Sequence, residues 1–395
     1  MKNDGRRTIL MIILIGLSVT GLVMALAQCG EIPSPRPGAA PTEPAAATLM
    51  RIPTETAPLA PPSTPAAMTS PGPTPMVIQV TGANEVALAT ENFVVEGLYG
   101  NMAVGITAGE KNQVLLVDLA TGRVHRLDSS VDAKYRTSPC ISERWVVWVE
   151  NFVTPDGQYT GNRLVAYDLK LDHEFQVPIT KTTHGIEVTL SGDIVVWSEI
   201  IDYYSSGSDI FARNLATEQG WTVAAGPNDQ WSPRVSGQWV IYLDEEEGAY
   251  SANLRAHYLP TGEDFVIGQL PSPPDSSAGK YHALAGHKVV WIKYQPDPVS
   301  QLHVYDLETR ADRPLVLGDG RQIWKFLDLF GEDALLKWGT IYSLESGAVL
   351  GTLDTAAVEG SVYRVYVSGN RVTLSTVQDT ASGSVWRLYT LQLGR

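Results

Sequence analysis

The sequence predicts an all-β fold, a seven-bladed β-propeller of four-stranded blades closed by an N-terminal velcro strand at residues 76–81. Three observations predict it. A short apolar phrase recurs along the chain, as ISERWVVWVE at 141–150, LSGDIVVWSE at 190–199, SGQWVIYLDE at 236–245 and LAGHKVVWIK at 284–293. Each recurrence belongs to a unit with the same four-strand grammar. The last unit ends one strand short, while a spare strand, Met76 to Thr81, stands ahead of the first.

The units run from Met76 to the C-terminus. A first strand ends in a two-residue turn: Gly100-Asn101, Glu143-Arg144, Gly192-Asp193, Gly237-Gln238, Gly286-His287, Gly331-Glu332 and Gly369-Asn370. Glycine leads six of these seven turns, as the positive φ of tight hairpin turns requires. The second strand is the apolar phrase itself. It lacks the alternation of a half-exposed strand, because a mid-blade strand is covered by a neighbouring blade on each side. Its Trp and Tyr side chains suit the widening gap between radial blades. A variable loop leads to a third strand (VLLVDL, LVAYDL, IFARNL, LRAHYL, LHVYDL, TIYSL, WRLYTL), whose closing Leu falls at 119, 169, 215, 259, 307, 344 and 391. A turn such as Thr121-Gly122, Thr261-Gly262 or Ser346-Gly347 precedes a short fourth strand, for example RVHRL or DFVIG. The seventh unit stops after its third strand, so residues 76–81 are expected to pair with 384–392 and close the ring. An unclosed ring leaves a free pairing edge.

Units such as S-P-R-V-S-G-Q-W-V-I-Y-L-D-E followed by L-x-x-Y-D-L-x-T-G resemble the TolB-like β-propeller repeats of bacterial exported and cell-surface proteins. The resemblance covers about 76–395 and implies the propeller fold. Two departures limit it. The usual S-P-D-G before the second strand is S-G-D, S-G-Q or A-G-H here, and TolB has a small α/β domain where this chain has a Pro-rich stretch. A Tol–Pal role is therefore not carried over.

Ahead of the repeats the sequence divides into residues 1–28, a signal peptide or membrane anchor, and 29–75, a linker. MKNDGRRT is a short basic start, and residues 9–27 are apolar and uncharged. Three fates are open for this segment. Leu26-Ala27-Gln28-Cys29 resembles a lipoprotein signal with Cys29 as the lipidated residue, although Gln28 departs from the usual small residue. Ala25-Leu26-Ala27 suits ordinary signal peptidase, and the apolar run is long enough to span a bilayer of about 30 Å uncleaved. All three export the remainder. Thirteen of residues 33–75 are proline and none is aromatic. That composition cannot bury enough surface to fold, and a PPII-rich stalk of this length reaches about 130 Å.

Net charge is −14. An acidic body without a basic stripe repels phosphate backbones, so nucleic acid is not an expected partner. Apart from Cys29 there is only Cys140, expected to be a small buried hydrophobe, so no internal disulfide framework is available. No G-x-S-x-G elbow, metal-spaced histidine pair or Asp box occurs, and no cofactor or metal site is expected. His282 and His287 read as surface and turn residues. Asp244 to Glu247 read as solvated charge, since a calcium loop alternates its carboxylates. No catalytic residue is assigned.

The loops from fourth to first strand and from second to third strand share one face and carry aromatics. The first set offers Tyr135, Arg136, His184, Trp231, Tyr281, His282, Trp324 and Lys325 as candidate binding residues; the second offers Phe152, Tyr159, Tyr203, Tyr204, Tyr250 and Tyr294. Trp231 is the leading candidate, placed just before a strand begins. Positioned loops on a rigid scaffold commonly carry function. The expected activity is non-catalytic binding of an envelope protein or glycan by a monomeric propeller tethered to the membrane through its N-terminus. The alternatives are a polysaccharide- or peptide-degrading hydrolase or lyase acting at the channel mouth, and a purely structural surface protein.

Overall fold

The computed structural model describes residues 80–86, 93–107, 112–127, 133, 135–180, 185–202, 206–246, 251–271, 281–293, 301–318, 328–330, 334–337, 340–353, 358–368, 371–380 and 383–393. Residues 75–395 form one compact unit. None of the described residues is helical. The apolar segment 9–27, Cys29 and the Pro-rich stretch lie outside the described residues.

Strand β1 (Val80–Glu85) is followed by the first blade, β2 (Phe93–Tyr99), β3 (Met102–Thr107), β4 (Val114–Asp118) and β5 (Val124–Leu127). The second blade is β6 (Tyr135–Ile141), β7 (Trp145–Val153), β8 (Tyr159–Asp168) and β9 (His173–Val177). The third is β10 (Gly185–Ser191), β11 (Ile194–Asp202), β12 (Ser206–Asn214) and β13 (Gly220–Ala224). The fourth is β14 (Asp229–Ser236), β15 (Trp239–Glu245), β16 (Ser251–Tyr258) and β17 (Glu263–Pro271), and the fifth is β18 (His282–Ala285), β19 (Lys288–Lys293), β20 (Gln301–Asp306) and β21 (Asp312–Pro314). The sixth is β22 (Asp328–Phe330), β23 (Ala334–Lys337), β24 (Thr340–Ser343) and β25 (Val349–Thr352). The seventh combines β26 (Ser361–Ser368), β27 (Arg371–Thr380) and β28 (Gly383–Leu393) with β1, in the order β1-β28-β27-β26. All seven sheets are four-stranded, and the first strands of the first to sixth blades lie against one another in turn, with that of the seventh against that of the first. The protein is a seven-bladed β-propeller.

Ring closure by the N-terminal strand holds, with its bounds displaced. Val80 pairs with Leu393, Thr81 with Gln392, Asn84 with Thr390 and Glu85 with Tyr389. The described strand runs to Glu85 rather than Thr81, passing through an irregularity between Thr81 and Asn84; residues 76–79 lie outside the described residues. Arg387 adds an ion pair to Glu85 at 2.9 Å.

The core sits between blades. In β7, Val146 and Trp148 pack against Val104, Val114 and Leu116 of the first blade. Val147 and Val149 of the same strand pack against Val195 and Trp197 of the third. Adjacent side chains leave opposite faces of a strand, and both faces here are buried, which is why the run Trp145 to Val149 is unbroken in its apolarity.

The recurring small residues hold turns and seams. Gly100, Gly192, Gly237 and Gly286 have φ of 55–56° at the head of their hairpin turns. Ser191 Oγ accepts from Gly237 N at 3.0 Å, and Ser236 Oγ accepts from Gly286 N at 2.8 Å. The Ser-Gly pair therefore closes one hairpin and fastens the next blade. The Asp of Y-D-L caps the following turn: Asp168 Oδ1 accepts from the amides of Lys170 and Leu171, and Asp306 Oδ1 from those of Glu308 and Thr309. The closing Leu binds back to the hairpin, Leu169 N donating to Arg144 O at 2.8 Å and Leu307 N to His287 O at 2.8 Å.

Candidate binding face

First strands begin, and second strands end, on the same face, so the starts of β6, β10, β14 and β18 lie beside the ends of β7, β11, β15 and β19. Most of the loops of this face, including His184, Trp324, Lys325, Tyr203, Tyr204, Tyr250 and Tyr294, lie outside the described residues. What is described is the rim that carries them.

Tyr135 opens β6 and is 37% exposed. Arg136, next to it, turns inward. Its amide donates to Asn112 Oδ1 at 2.6 Å, Nη1 donates to Asn112 O at 2.9 Å, and Nε lies 3.3 Å from Glu150 Oε1. Glu150 is fully buried and also receives Arg163 Nη2 at 2.8 Å and the Trp148 indole N–H at 3.3 Å. Arg136, held by this buried carboxylate, ties Asn112 of the first blade's loop to the second blade. In the third blade Glu199, equally buried, accepts from Trp197 Nε1 at 2.8 Å, from Thr180 N at 2.9 Å and from Thr180 Oγ1.

Trp231 lies within β14 rather than ahead of a strand. It is half-buried, with its indole N–H donating to Glu245 Oε2 at 3.2 Å. The next residue, Ser232, has φ of +54° in an irregularity between Trp231 and Arg234. Its amide donates to Glu187 Oε2 of the third blade at 2.8 Å, and its carbonyl accepts from His282 Nε2 of the fifth at 3.0 Å. Ser138 repeats the positive φ in the second blade, again before proline. His282 is 1% exposed and Tyr281 is also buried. The reading of His282 as a surface residue is corrected: its ring is a bolt between the fourth and fifth blades. His287 does sit in a turn, with Nε2 3.6 Å from Asp306 Oδ2. Cys140 is half-buried, its Sγ within 3.5 Å of the Ser138 and Val188 carbonyls.

Asp244 departs from solvated charge. Its Oδ1 accepts from Asn228 Nδ2 at 3.1 Å and Gln230 Nε2 at 3.2 Å, while Glu246 is exposed. Deeper in this blade, Tyr242 OH donates to Asp264 at 2.8 Å, and Arg255 and His257 converge on the same carboxylate. Burial pushes the Tyr242 phenol upward and its Asp264 acceptor adds to that. Burial also pushes Asp264 up, but His257, Tyr242 and Arg255 outweigh it and hold the carboxyl below its usual range. No group of three His, Cys, Asp or Glu among the described residues is arranged to hold a metal ion.

The sequence reading brought together Trp231 and His282, which the structure links through Ser232, and it paired Tyr135 with the inward-facing Arg136. It missed Glu187, Ser232, Glu150 and Glu199. Only Glu150 and Glu199 carried a visible signal: each follows a repeated Trp by two residues, on the same face of the strand.

No protein-family model matches the chain, and no curated protein matches it. Solved structures do. A mitotic checkpoint complex chain matches at TM-score 0.50 and 12% identity, covering 86% of this chain and 99% of that one. A puromycin hydrolase S511A mutant complexed with PGG matches at 0.50 and 13%, covering 78% of this chain and 53% of the hydrolase. TolB from Acinetobacter baumannii matches at 0.38 and 13%, covering 72% and 61%. At these identities the likeness is one of fold; the chain spans about half the length of the hydrolase.

Proposed function

We propose that this propeller is a non-catalytic binding module whose loop face takes an envelope protein or glycan, and that its N-terminus exports the propeller and tethers it to the membrane. One observation carries the reading of the face. The buried ionisable groups of the rim are already engaged: Glu150 by Arg136 and Arg163, Glu199 by Trp197 and Thr180, and His282 by the Ser232 carbonyl. Groups so held fasten blades and fix loops; a general acid or base must be within reach of a substrate proton. The half-buried Trp231 and the exposed Tyr135 remain as contact surface on a rigid rim, and aromatics are favoured anchors in recognition. The tether rests on the apolar run at 9–27, Cys29 and the Pro-rich segment that follows.

The test passes solubilised envelope extract and a glycan array over the full protein, with panels of polysaccharide and peptide substrates run in parallel. Retention of a defined protein or glycan without turnover supports the reading. Turnover of a substrate overturns it in favour of a hydrolase or lyase.

A further inference from the structure

The repeat supplies its own comparison. Trp148, Trp197 and Trp291 occupy the same position in β7, β11 and β19, each facing the preceding blade. In the second and third blades the residue two places on is a glutamate, and the indole N–H donates to it, Trp148 to Glu150 at 3.3 Å and Trp197 to Glu199 at 2.8 Å. In the fifth blade that residue is Lys293. Trp291 is fully buried and its Nε1 has no hydrogen-bond partner. The ring cannot turn away, because its far edge is pressed against Gly268 of the fourth blade.

The surroundings of Trp291 are reversed in charge as well. Lys293 Nζ lies 5.9 Å from the centre of the Trp291 ring and 3.5 Å from Asp312 Oδ2, with its side chain 41% exposed. His303, against the ring at 5.4 Å between centroids, turns Nδ1 to Asp312 at 3.0 Å. Asp312 is thus neutralised locally by Lys293. A fixed N–H donor and, 5.9 Å from its ring centre, a partly exposed ammonium stand where two sibling blades hold a carboxylate.

The geometry points to a carboxylate-binding subsite in the fifth blade, formed by the Trp291 indole N–H and the Lys293 ammonium. A ligand's carboxylate takes the place that Glu150 and Glu199 fill from within the chain. Lys293, on its flexible stem, covers the indole and moves to admit the ligand. The subsite lies at the loop-face end of β19 and stands whether or not the rest of that face binds as proposed above.

The experiment uses the full chain in detergent, with tryptophan labelled at the indole nitrogen, and acetate as the probe. Trp291→Phe identifies the Trp291 signal. The expected result is a saturable downfield shift of that signal, half complete at about 10 mM acetate, with the remaining tryptophans unmoved. Lys293→Glu should shift the signal without acetate and leave it unresponsive, because the sibling pair is restored. Lys293→Gln should weaken acetate binding by about tenfold while the fold is kept, and carries the test should Lys293→Glu fail to fold. N-acetylglycine and glucuronate, added in turn, distinguish a peptide carboxylate from a sugar acid by which binds tighter. No shift with any of the three, or a shift that persists unchanged in Lys293→Gln, overturns the proposal.

Discussion

His282 Nε2 lies 3.0 Å from the carbonyl oxygen of Ser232. The ring is buried and a carbonyl can only accept, so the imidazole donates from Nε2. From the other side, Glu187 accepts from the Ser232 amide. One left-handed residue thus joins three blades. Removing the ring leaves the carbonyl without this buried donor, a loss of about 1–3 kcal/mol. His282→Ala should lower the stability from urea unfolding by that amount, while His282→Gln, which keeps a donor, loses less. Equal loss in the two variants would contradict the assignment.

Glu150, itself fully buried, holds two guanidiniums whose side chains are only 11% and 15% exposed. Glu150→Gln keeps the shape and removes the charge, taking this carboxylate from Arg136 and Arg163, while Arg163 keeps Glu174 at 3.6 Å. Breaking one side of a buried ion pair typically costs about 3–5 kcal/mol. Urea unfolding should show a loss of that order with an unchanged slope; a loss below about 1 kcal/mol would place the arginines in water.

Asp306 supplies the pH dependence. Burial pushes its carboxyl up, but the Lys288 ammonium and the amides of Thr309 and Glu308 outweigh burial and hold it down at about 2, against an ordinary 3.8. A depressed carboxyl stabilises the fold fully above its unfolded value, and that stability is lost as pH falls from about 4 towards 2. With the shift discounted for solvent screening, the stability difference between the native chain and Asp306→Asn should be about 1 kcal/mol at pH 6 and shrink across that window. A difference that stays constant from pH 6 to pH 2 would contradict it.

Gly268 is a spacer. A Cβ there meets the Trp291 ring at 2.2 Å. Gly268→Ala should destabilise by about 1–3 kcal/mol through overpacking, and Trp291→Phe in the same chain should recover part of it. Additive losses in the double variant would show that the two residues are not in contact.

The blades were legible because burial on both faces of the second strand forces an unbroken apolar phrase, and because the Ser-Gly and Asp-Leu pairs mark turns that repeat. Ring closure was legible from the missing last strand. The site was less so. Tyr281 and His282 have the composition of a binding loop, yet the start of β18 buries both. Glu187 and Ser232 act through contacts between blades, 45 residues apart in the chain, which no local pattern reveals. The orphaned Trp291 was written in the sequence as Lys293 standing where Glu150 and Glu199 stand in other units. Its meaning depends on a hydrogen bond seen only in the folded siblings.

The measurement that tests the central claim most directly compares the two faces of the ring. Once a retained protein or glycan is identified, its affinity is measured for the native chain, for Tyr135→Ala with Trp231→Ala on the loop face, and for Gln238→Ala with Leu171→Ala on the turn face, all checked to be folded. The account predicts about a hundredfold loss or more for the loop-face pair and native affinity for the turn-face pair. Loss confined to the turn-face pair would contradict it.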